Sequence, residues 1–289
     1  MNIAKKVGKE SSITFVGLLY GNLNRYLYTV LLARWVGPEF LGIYSIANSI
    51  MLISEVFAKM GLETGIMRFI SGLNPELDKE KINLLIGSSL KMVSVFSLSI
   101  MIILIISSGK IVDNYFNEQS LLKSVLIIFA IAIPFNALIQ ISAFATQGFK
   151  RLKYKTIVTQ FLNPTILFLS MVFCYWFMSK ESTIMIPILT TGVIGFLFMI
   201  IVLKKVSGFK NNQILKSKIN YELLKFSYPL MFVTILQTLM HWMDILMLGY
   251  FTNPLTVGLY HPAARTAGLL QALLLSFLSI YAPLAAQFH

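Results

Sequence analysis

Long apolar runs are the feature that most constrains the fold of this chain. Several of them reach the length of about 20 residues that an α-helix needs to cross roughly 30 Å of hydrocarbon. Of the 289 residues, 56% are hydrophobic and only 12% are charged. A soluble core of this length does not need so much apolar surface. Soluble α/β and soluble helical folds are therefore excluded, and the sequence predicts an all-α integral membrane protein.

We predict about eight transmembrane helices. Their approximate bounds are residues 12–34, 41–59, 84–107, 120–146, 156–178, 183–203, 224–250 and 256–281. Lys and Arg accumulate in the cytoplasmic loops of membrane proteins. With the N-terminus in the cytoplasm, 17 of the 24 Lys and Arg residues lie in cytoplasmic segments and only four lie in outer loops. The charge pattern therefore predicts a multi-pass protein of the cell (cytoplasmic) membrane with a cytoplasmic N-terminus.

The polar segments between the spans carry most of the formal net charge of +12. This charge does not indicate a nucleic-acid partner, because no DNA- or RNA-binding motif surrounds the basic residues. Residues 61–81 are expected to form a cytoplasmic connection with a short interfacial helix. The basic turn at residues 147–155 is expected either to contact anionic membrane lipids or to serve only in orienting the protein.

A short hairpin between the first two spans recurs late in the chain. Leu32, Pro38, Gly42, Tyr44 and Ala47 each have an identical residue 216 positions later, without a gap. A constant internal offset indicates a duplicated unit. Six predicted spans separate the two copies, so both hairpins enter the membrane in the same direction, which is typical of parallel repeats of six-helix halves.

The repeat predicts the domain organisation. Residues 1–205 are expected to form a complete six-helix N-terminal lobe, and residues 206–223 a cytoplasmic linker. Residues 224–289 are expected to hold the first two helices of an incomplete C-terminal lobe. The hairpins mark matching outer corners of the two lobes, and we expect them to be architectural rather than substrate-binding.

Polar residues far from the ends of spans are the candidate site, because a charge buried in hydrocarbon costs at least about 2.5 to 3.5 kcal/mol on insertion scales. The 216 offset maps Arg25 onto His241 and Tyr28 onto Asp244, so a polar helix face is itself duplicated. We expect these faces to line one aqueous cavity. The predicted substrate-cavity residues are Arg25, Asn22, Tyr28, Gln237, His241 and Arg265, and Asp244 is a candidate for ion coupling or for an ion pair.

Several of these groups have a structural alternative. Asp244 and Arg265 are expected either to pair with each other between adjacent helices or to act in transport. Glu55 and Lys59 are one helical turn apart and are expected to form a surface ion pair near the cytoplasmic end. His261 lies only a few residues into its predicted span and is expected at the outer interface.

The sequence contains no pattern of catalytic or cofactor-binding residues. Its three histidines lack a metal-ligand spacing, and it has no P-loop, Gly-rich nucleotide motif or Ser-based nucleophile elbow. The single cysteine, Cys174, lies inside an apolar run, which excludes a disulfide framework and a cysteine metal site. We therefore expect no enzyme activity, no catalytic residue, no cofactor and no metal.

Five segments in combination carry a resemblance to a known family. They are Phe15–Gly17, Leu32–Tyr44, Gly61–Arg68, Gln147–Gly148 and Phe226–Leu230. Their order resembles that of the polysaccharide-biosynthesis flippases, the oligosaccharidyl-lipid branch of the multidrug/oligosaccharidyl-lipid/polysaccharide (MOP) transporter superfamily. The resemblance implies two pseudo-symmetric six-helix lobes that rock between inward-open and outward-open states. Members of the family usually have more spans, so this chain is expected to be a fragment.

The resemblance implies a transporter that flips polyprenyl-pyrophosphate-linked oligosaccharide across the cytoplasmic membrane for cell-surface polysaccharide biosynthesis. Arg25 and Arg265 are then candidates to line its cavity, and glycan-assembly proteins are further partners. One alternative is a cation-coupled multidrug exporter of the same superfamily, in which acidic cavity residues should dominate. Others are a membrane-embedded glycan polymerase or acyltransferase, which needs polar catalytic loops, and a membrane scaffold that transports nothing.

Overall fold

The computed structural model describes residues 3–116, 120–209, 214 and 217–268, with side chains from Ser12 onward. This part of the chain is helical and contains no strand. Its elements are α1 (Ile3–Trp35), α2 (Pro38–Lys59), α3 (Leu62–Ser71), α4 (Lys79–Tyr115), α5 (Ser120–Gly148), α6 (Leu152–Thr156), a π-helical segment (Ile157–Leu162), α7 (Asn163–Phe177), α8 (Lys180–Ser207), α9 (Tyr221–Phe251) and α10 (residues 254–268).

Six of the described helices are long and apolar enough to cross a membrane. They are α2, α4, α5, the continuous segment Leu152–Phe177, α8 and α9, and they match the predicted second to seventh spans. The predicted first span lies within α1. The eighth begins in α10, and its part beyond residue 268 lies outside the described residues. The all-α membrane architecture is confirmed, whereas the count of eight spans and the lobe boundaries stay predictions.

Helix α5 is the centre of the first repeat. It packs against α2, α3, α4 and α8, and it has buried apolar residues along its length, from Leu122 near its start to Ala145 near its end. Pro134 lies inside α5 without ending it, as is tolerated where neighbouring helices surround the freed backbone groups. Helix α1 lies at the edge of this bundle, where it contacts α2, α6, the π-helical segment and α7.

The second repeat meets the first at a close crossing of α2 and α10. Gly42 has no room for a side chain, because the backbone carbonyl of Pro254 occupies the place of a Cβ atom. Gly258 meets the carbonyl of Pro38 in the same way. Each contact becomes the other when 216 is added to or subtracted from its residue numbers. The duplicated Pro–Gly spacing of the sequence is therefore the contact by which the two copies pack on each other.

A hydrogen bond at this crossing locates the symmetry axis. Ser45 Oγ is bonded to Nδ1 of His261, which is its own equivalent in the second repeat. In a two-fold arrangement a residue contacts its own equivalent only next to the axis. The axis relating the repeats therefore passes between these two side chains. We call this end of the molecule, with the turns at residues 36–37 and 252–253, the hairpin end.

At the opposite end, which carries the basic turn and is called the basic end, α3 packs against the start of α9. The chain turns between α2 and α3 through Met60 and Gly61, which both have left-handed backbone angles (φ 49° and 69°). Gly61 and Gly65 lie directly against Ser227 of α9. Near its other end, Gly249 of α9 lies against Ile46 of α2, so α9 is held to the first repeat at both of its ends.

Glu55 is buried and Lys59 is largely covered, so the expected surface pair is wrong. Lys59 Nζ lies 3.1 Å from Glu55 Oε1 and 3.8 Å from Glu63 Oε1. The two glutamates are only 4% and 7% exposed. The sharp turn after Lys59 brings Glu63, at the start of α3, within reach of the same lysine. Because removing one partner of a buried ion pair leaves an uncompensated charge, this group fixes the corner between α2 and α3.

Replacing Gly42 by Ala is expected to destabilise the contact between the repeats. The new Cβ has to displace a backbone carbonyl, so we expect a loss of about 1 to 3 kcal/mol in the free energy of unfolding. Gly258→Ala should have the same effect from the other side of the axis. Denaturant unfolding of the purified protein measures both changes.

The matched control is Gly109→Ala in α4. The nearest atom to its new Cβ is the flexible end of Lys123, 3.4 Å away, and alanine favours a helix over glycine. This variant should be as stable as the parent protein or more stable. Equal stabilities of Gly42→Ala and Gly109→Ala would contradict the close crossing.

Candidate functional site

A cavity of about 530 Å³ lies between α1 of the first repeat and α9 and α10 of the second. Its wall consists of Asn22, Arg25, Tyr26, Met240, His241, Trp242, Asp244, Ile245, Tyr260, His261, Ala264, Arg265, Ala267 and Gly268. Most of these side chains are polar or ionisable, although they come from helices that are largely apolar. The cavity therefore gathers polar groups from both repeats into one space.

Five of the seven predicted site residues line this cavity, and two do not. The five are Asn22, Arg25, His241, Asp244 and Arg265. Tyr28 is only 2% exposed and packs against Tyr44 in the core, with ring centroids 5.4 Å apart. Gln237 is exposed on α9 outside the cavity wall. The helix faces predicted from the sequence thus located most of the predicted site residues in the cavity, but not all of them.

The 216 offset explains where Tyr28 lies. Its equivalent is Asp244 and the equivalent of Tyr44 is Tyr260, so the Tyr28–Tyr44 contact is repeated as a contact between Asp244 and Tyr260. In this second copy the Tyr260 hydroxyl donates to Asp244 Oδ2 at 2.8 Å. The first copy is covered by α5, because Phe129 packs edge-on against Tyr44. The second copy lines the cavity.

Arg25 is anchored by the π-helical segment beside it. Its Nη2 donates to the carbonyl of Thr159 at 2.7 Å, and its Nη1 donates to Gln160 Oε1 at 3.1 Å. A longer bond of 3.5 Å runs from Nη1 to Asn22 Oδ1. Gly21 allows the close approach of α1, because Gln160 lies directly against its Cα. None of these three acceptors is a carboxylate, so they hold the guanidinium without neutralising its charge.

Pro164 explains why the Thr159 carbonyl is available to Arg25. Within the π-helical segment, the N–H of Asn163 donates to the carbonyl of Val158, five residues earlier. In the same register the Thr159 carbonyl needs the N–H of residue 164, and proline has none. An unpaired carbonyl costs several kcal/mol in a medium without water. Arg25 supplies the missing donor, so the proline and the arginine form one local structure.

Arg265 is held by neutral partners from its own repeat. Its Nε donates to His261 Nε2 at 2.9 Å, and its guanidinium lies 5.2 Å from the ring centroid of Trp242. Asp244 is bonded instead to Tyr260 and to the N–H of Ile245. The ion pair that the sequence left open between Asp244 and Arg265 is therefore not formed in this structure.

The charges around the cavity do not balance. Arg25 and Arg265 contribute two guanidinium groups, and Asp244 contributes a carboxylate. His261 is neutral, because its Nε2 has to be unprotonated to accept the bond from Arg265. In a medium of low dielectric constant an excess cation is stabilised strongly by an anion. The chemistry of the cavity therefore favours an anionic ligand.

The sequence predictions omitted several residues of the cavity wall. Tyr26 and Trp242 are equivalents under the 216 offset and both reach the cavity. Tyr260 was detectable as the equivalent of Tyr44. His261 was expected at the outer interface but is 3% exposed beside the axis. The sequence feature that bears on this position is the 216 offset, which makes His261 the equivalent of Ser45. A residue beside the axis contacts the other repeat.

Arg25 and Pro164 should be energetically coupled. Arg25→Ala leaves the Thr159 carbonyl unpaired and should cost about 1 to 3 kcal/mol of stability. Pro164→Ala supplies an N–H that can pair this carbonyl, so Arg25→Ala should cost less in that background, with a coupling energy of about 1 kcal/mol. A double-mutant cycle on unfolding free energies measures the difference.

The control is Arg34→Ala, a change at an exposed position on the same helix. Its effect on stability should add to that of Pro164→Ala without coupling. Additivity of Arg25→Ala and Pro164→Ala would contradict this account.

Comparison with known proteins shows which family this chain belongs to. The model of the family described as "Polysaccharide biosynthesis protein" matches residues 7–289. The solved structure of the MATE multidrug transporter DinF-BH, determined as a complex with a small-molecule ligand, superposes with a TM-score of 0.69 at 17% sequence identity. The superposition covers 91% of this chain and 60% of that transporter, so the chain spans less than two thirds of its length. A search of curated proteins gave no match.

The two similarities agree with each other, because both the family and the MATE transporters are part of the MOP superfamily. The low identity to DinF-BH shows a shared fold alone, whereas the family model spans nearly the whole chain. The predicted resemblance is thereby confirmed. The chain is a multi-pass membrane protein with a MATE-like transporter fold, and it belongs to the polysaccharide biosynthesis protein family of the MOP superfamily.

Proposed function

We propose that this chain is part of a flippase that moves a polyprenyl-pyrophosphate-linked oligosaccharide from the cytoplasmic to the outer leaflet by alternating access. The observation that carries the proposal is the cavity between the repeats, where Arg25 and Arg265 face one space together with the carboxylate of Asp244. The family supplies the context of polysaccharide biosynthesis. No enzyme activity, metal or cofactor forms part of the proposal.

A pyrophosphate group fits the chemistry of this cavity. Guanidinium groups bind phosphate oxygens through two parallel N–H donors, and these charge-assisted bonds are stronger than neutral ones. The two arginines come from different repeats, so a ligand that contacts both interacts with both halves of the transporter. Neutral hydroxyl and indole groups, such as those of Tyr260 and Trp242, suit contacts with sugars. The polyprenyl tail remains in the bilayer.

The repeats provide the element that moves. At the crossing of α2 and α10 the repeats touch through glycine and backbone, and in this proposal the second repeat rotates against the first about that contact. A substrate enters from the basic end, which we place in the cytoplasm, and leaves at the hairpin end. Anionic lipids at the basic end and glycan-assembly proteins are the further partners that we propose.

A multidrug exporter is the rival that an observation favours. Its support is the fold shared with DinF-BH and the position of Asp244, whose carboxylate faces the cavity and accepts a hydrogen bond from Tyr260. In such an exporter Asp244 binds the coupling cation or a cationic drug. The two arginines weigh against this rival, because like charges repel a cationic ligand. Polymerase and acyltransferase activities gain no support from a transporter-type family and fold.

Arg25→Ala and Arg265→Ala should each reduce export of the cell-surface polysaccharide in the intact protein. Loss of one charge-assisted hydrogen-bonding group corresponds to about 1.5 to 3 kcal/mol, or roughly 10- to 100-fold in binding of the pyrophosphate group. Lys at either position should restore part of the activity through its charge. Export is measured in cells at matched levels of membrane-inserted protein.

The control is Arg34→Ala, which changes an exposed arginine outside the cavity wall. Export that is unchanged in Arg25→Ala and Arg265→Ala, as in this control, would disprove the proposal.

Asp244→Asn distinguishes the flippase from the drug exporter. Removing the carboxylate makes the cavity more positive, so binding of inorganic pyrophosphate should become tighter. In a cation-coupled exporter the same change should abolish proton- or sodium-dependent drug resistance. Pyrophosphate binding to purified protein and drug resistance in cells measure the two outcomes. Loss of resistance with no effect on pyrophosphate binding would favour the rival.

A further inference from the structure

Three hydrogen bonds connect the cavity to the backbone of α2. Arg265 Nε donates to His261 Nε2 at 2.9 Å, His261 Nδ1 is bonded to Ser45 Oγ, and Ser45 Oγ donates to the Leu41 carbonyl at 2.7 Å. An arginine nitrogen can only donate, and a carbonyl can only accept. The direction of every bond is therefore fixed, and His261 is neutral with its proton on Nδ1. We call these four residues the axis chain.

The axis chain crosses the contact between the two repeats. Arg265 and His261 belong to α10, whereas Ser45 and Leu41 belong to α2. Ser45 and Leu41 are fully buried, and His261 is 3% exposed. The bond between His261 and Ser45 exists only while the repeats touch at the hairpin end. The orientation of Arg265 in the cavity is thus tied to a closed hairpin end.

The axis chain leaves one edge of Arg265 for a ligand. Its Nε is occupied by His261, while its two terminal nitrogens donate to no residue in the described part of the chain. This terminal edge presents parallel N–H groups whose spacing matches two oxygens of one phosphate. An anion can therefore bind Arg265 without breaking the bond to His261.

We propose that His261 is a positioning residue, which orients the terminal edge of Arg265 toward a diphosphate-bearing ligand and links ligand binding to closure of the hairpin end. This inference rests on the proposed function and deepens it. Hydrogen bonds in a chain polarise one another, so an anion that holds Arg265 in place also supports the bonds that follow. By linkage, the ligand stabilises the closed hairpin end by the same factor by which closure raises affinity.

This direction of coupling, in which the ligand favours a closed hairpin end, suits a carrier that loads its ligand from the basic end. A bound diphosphate keeps the opposite, hairpin end shut until the repeats rotate. Rotation separates Ser45 from His261 and frees Arg265 from its fixed orientation. The ligand is then released at the hairpin end from a cavity that holds it less strongly.

Two amide substitutions of His261 each keep one of its hydrogen bonds and remove the other. His261→Gln places an amide oxygen near the position of Nε2, where it can accept from Arg265, but it no longer reaches Ser45. His261→Asn places an amide N–H near the position of Nδ1, where it can donate to Ser45, but it no longer reaches Arg265. Ser45→Ala removes the acceptor on α2. Ser49→Ala is the matched control, because its buried hydroxyl donates to the Ser45 carbonyl within α2.

The experiment uses the intact protein in lipid nanodiscs with inorganic pyrophosphate as the probe. Spin labels at Glu39→Cys and Leu255→Cys report the hairpin end, because these exposed positions are equivalents on opposite sides of the axis. Cys174→Ala removes the native thiol. In the labelled parent protein and in Ser49→Ala, pyrophosphate should bind and shift the label distances toward a shorter, narrower distribution. Ser45→Ala and His261→Gln should bind pyrophosphate without this shift.

His261→Asn should show the label distances of the ligand-free parent protein but should weaken pyrophosphate binding by about 10-fold, as expected for loss of a bond that orients a charged donor. Parent-like affinity and parent-like distance shifts in both amide variants would show that the inference is wrong while the proposed function stands. If both amide variants lose folded protein and Ser45→Ala matches Ser49→Ala, His261 is only structural and the inference also fails. Absence of pyrophosphate binding in the parent protein overturns both proposals.

Discussion

The structure depends on the close approach of two backbones at Gly42 and Gly258. Hydrocarbon gives little hydrophobic driving force for helix association, so packing of small residues has to hold the repeats together. Here the absent side chains let each helix rest on the carbonyl of a proline in the other. That contact sets the axis between the repeats, brings Ser45 next to His261, and thereby fixes which faces of α9 and α10 look across at α1. The cavity follows from this approach.

A second constraint is that polar groups inside a membrane need partners. The structure meets it with neutral partners around the cavity and with opposite charges at the basic end. Arg25 pairs with a carbonyl that Pro164 leaves free, and Arg265 pairs with a neutral histidine, so both keep their full charge available to a ligand. Lys59, in contrast, is shared by two buried glutamates. The difference separates groups that can bind a ligand from groups that hold a corner of the fold.

Much of the fold was predictable from the sequence, because hydrophobic length and the 216 offset are direct consequences of membrane crossing and duplication. The helices from α2 to α9 and five residues of the cavity wall follow from these patterns. Tyr28 was misplaced because the pattern gives a helix face and not the neighbour that covers it, here Phe129. The approach of Glu63 to Lys59 depends on the left-handed turn at Met60, and the anchoring of Arg25 depends on a π-helical register. Neither is encoded in hydrophobic periodicity.

The pairing of Arg25 with the Thr159 carbonyl has a consequence for how such sequences diverge. The carbonyl is left without a backbone donor only while residue 164 is a proline, and its bond to Arg25 relieves this loss. Neither position can change without altering the selective pressure on the other. Across related transporters the two sites should therefore coevolve, although 139 positions separate them in the chain. Covariation of an arginine and a proline in these distant segments would show that the two residues are inherited together because they share this backbone site.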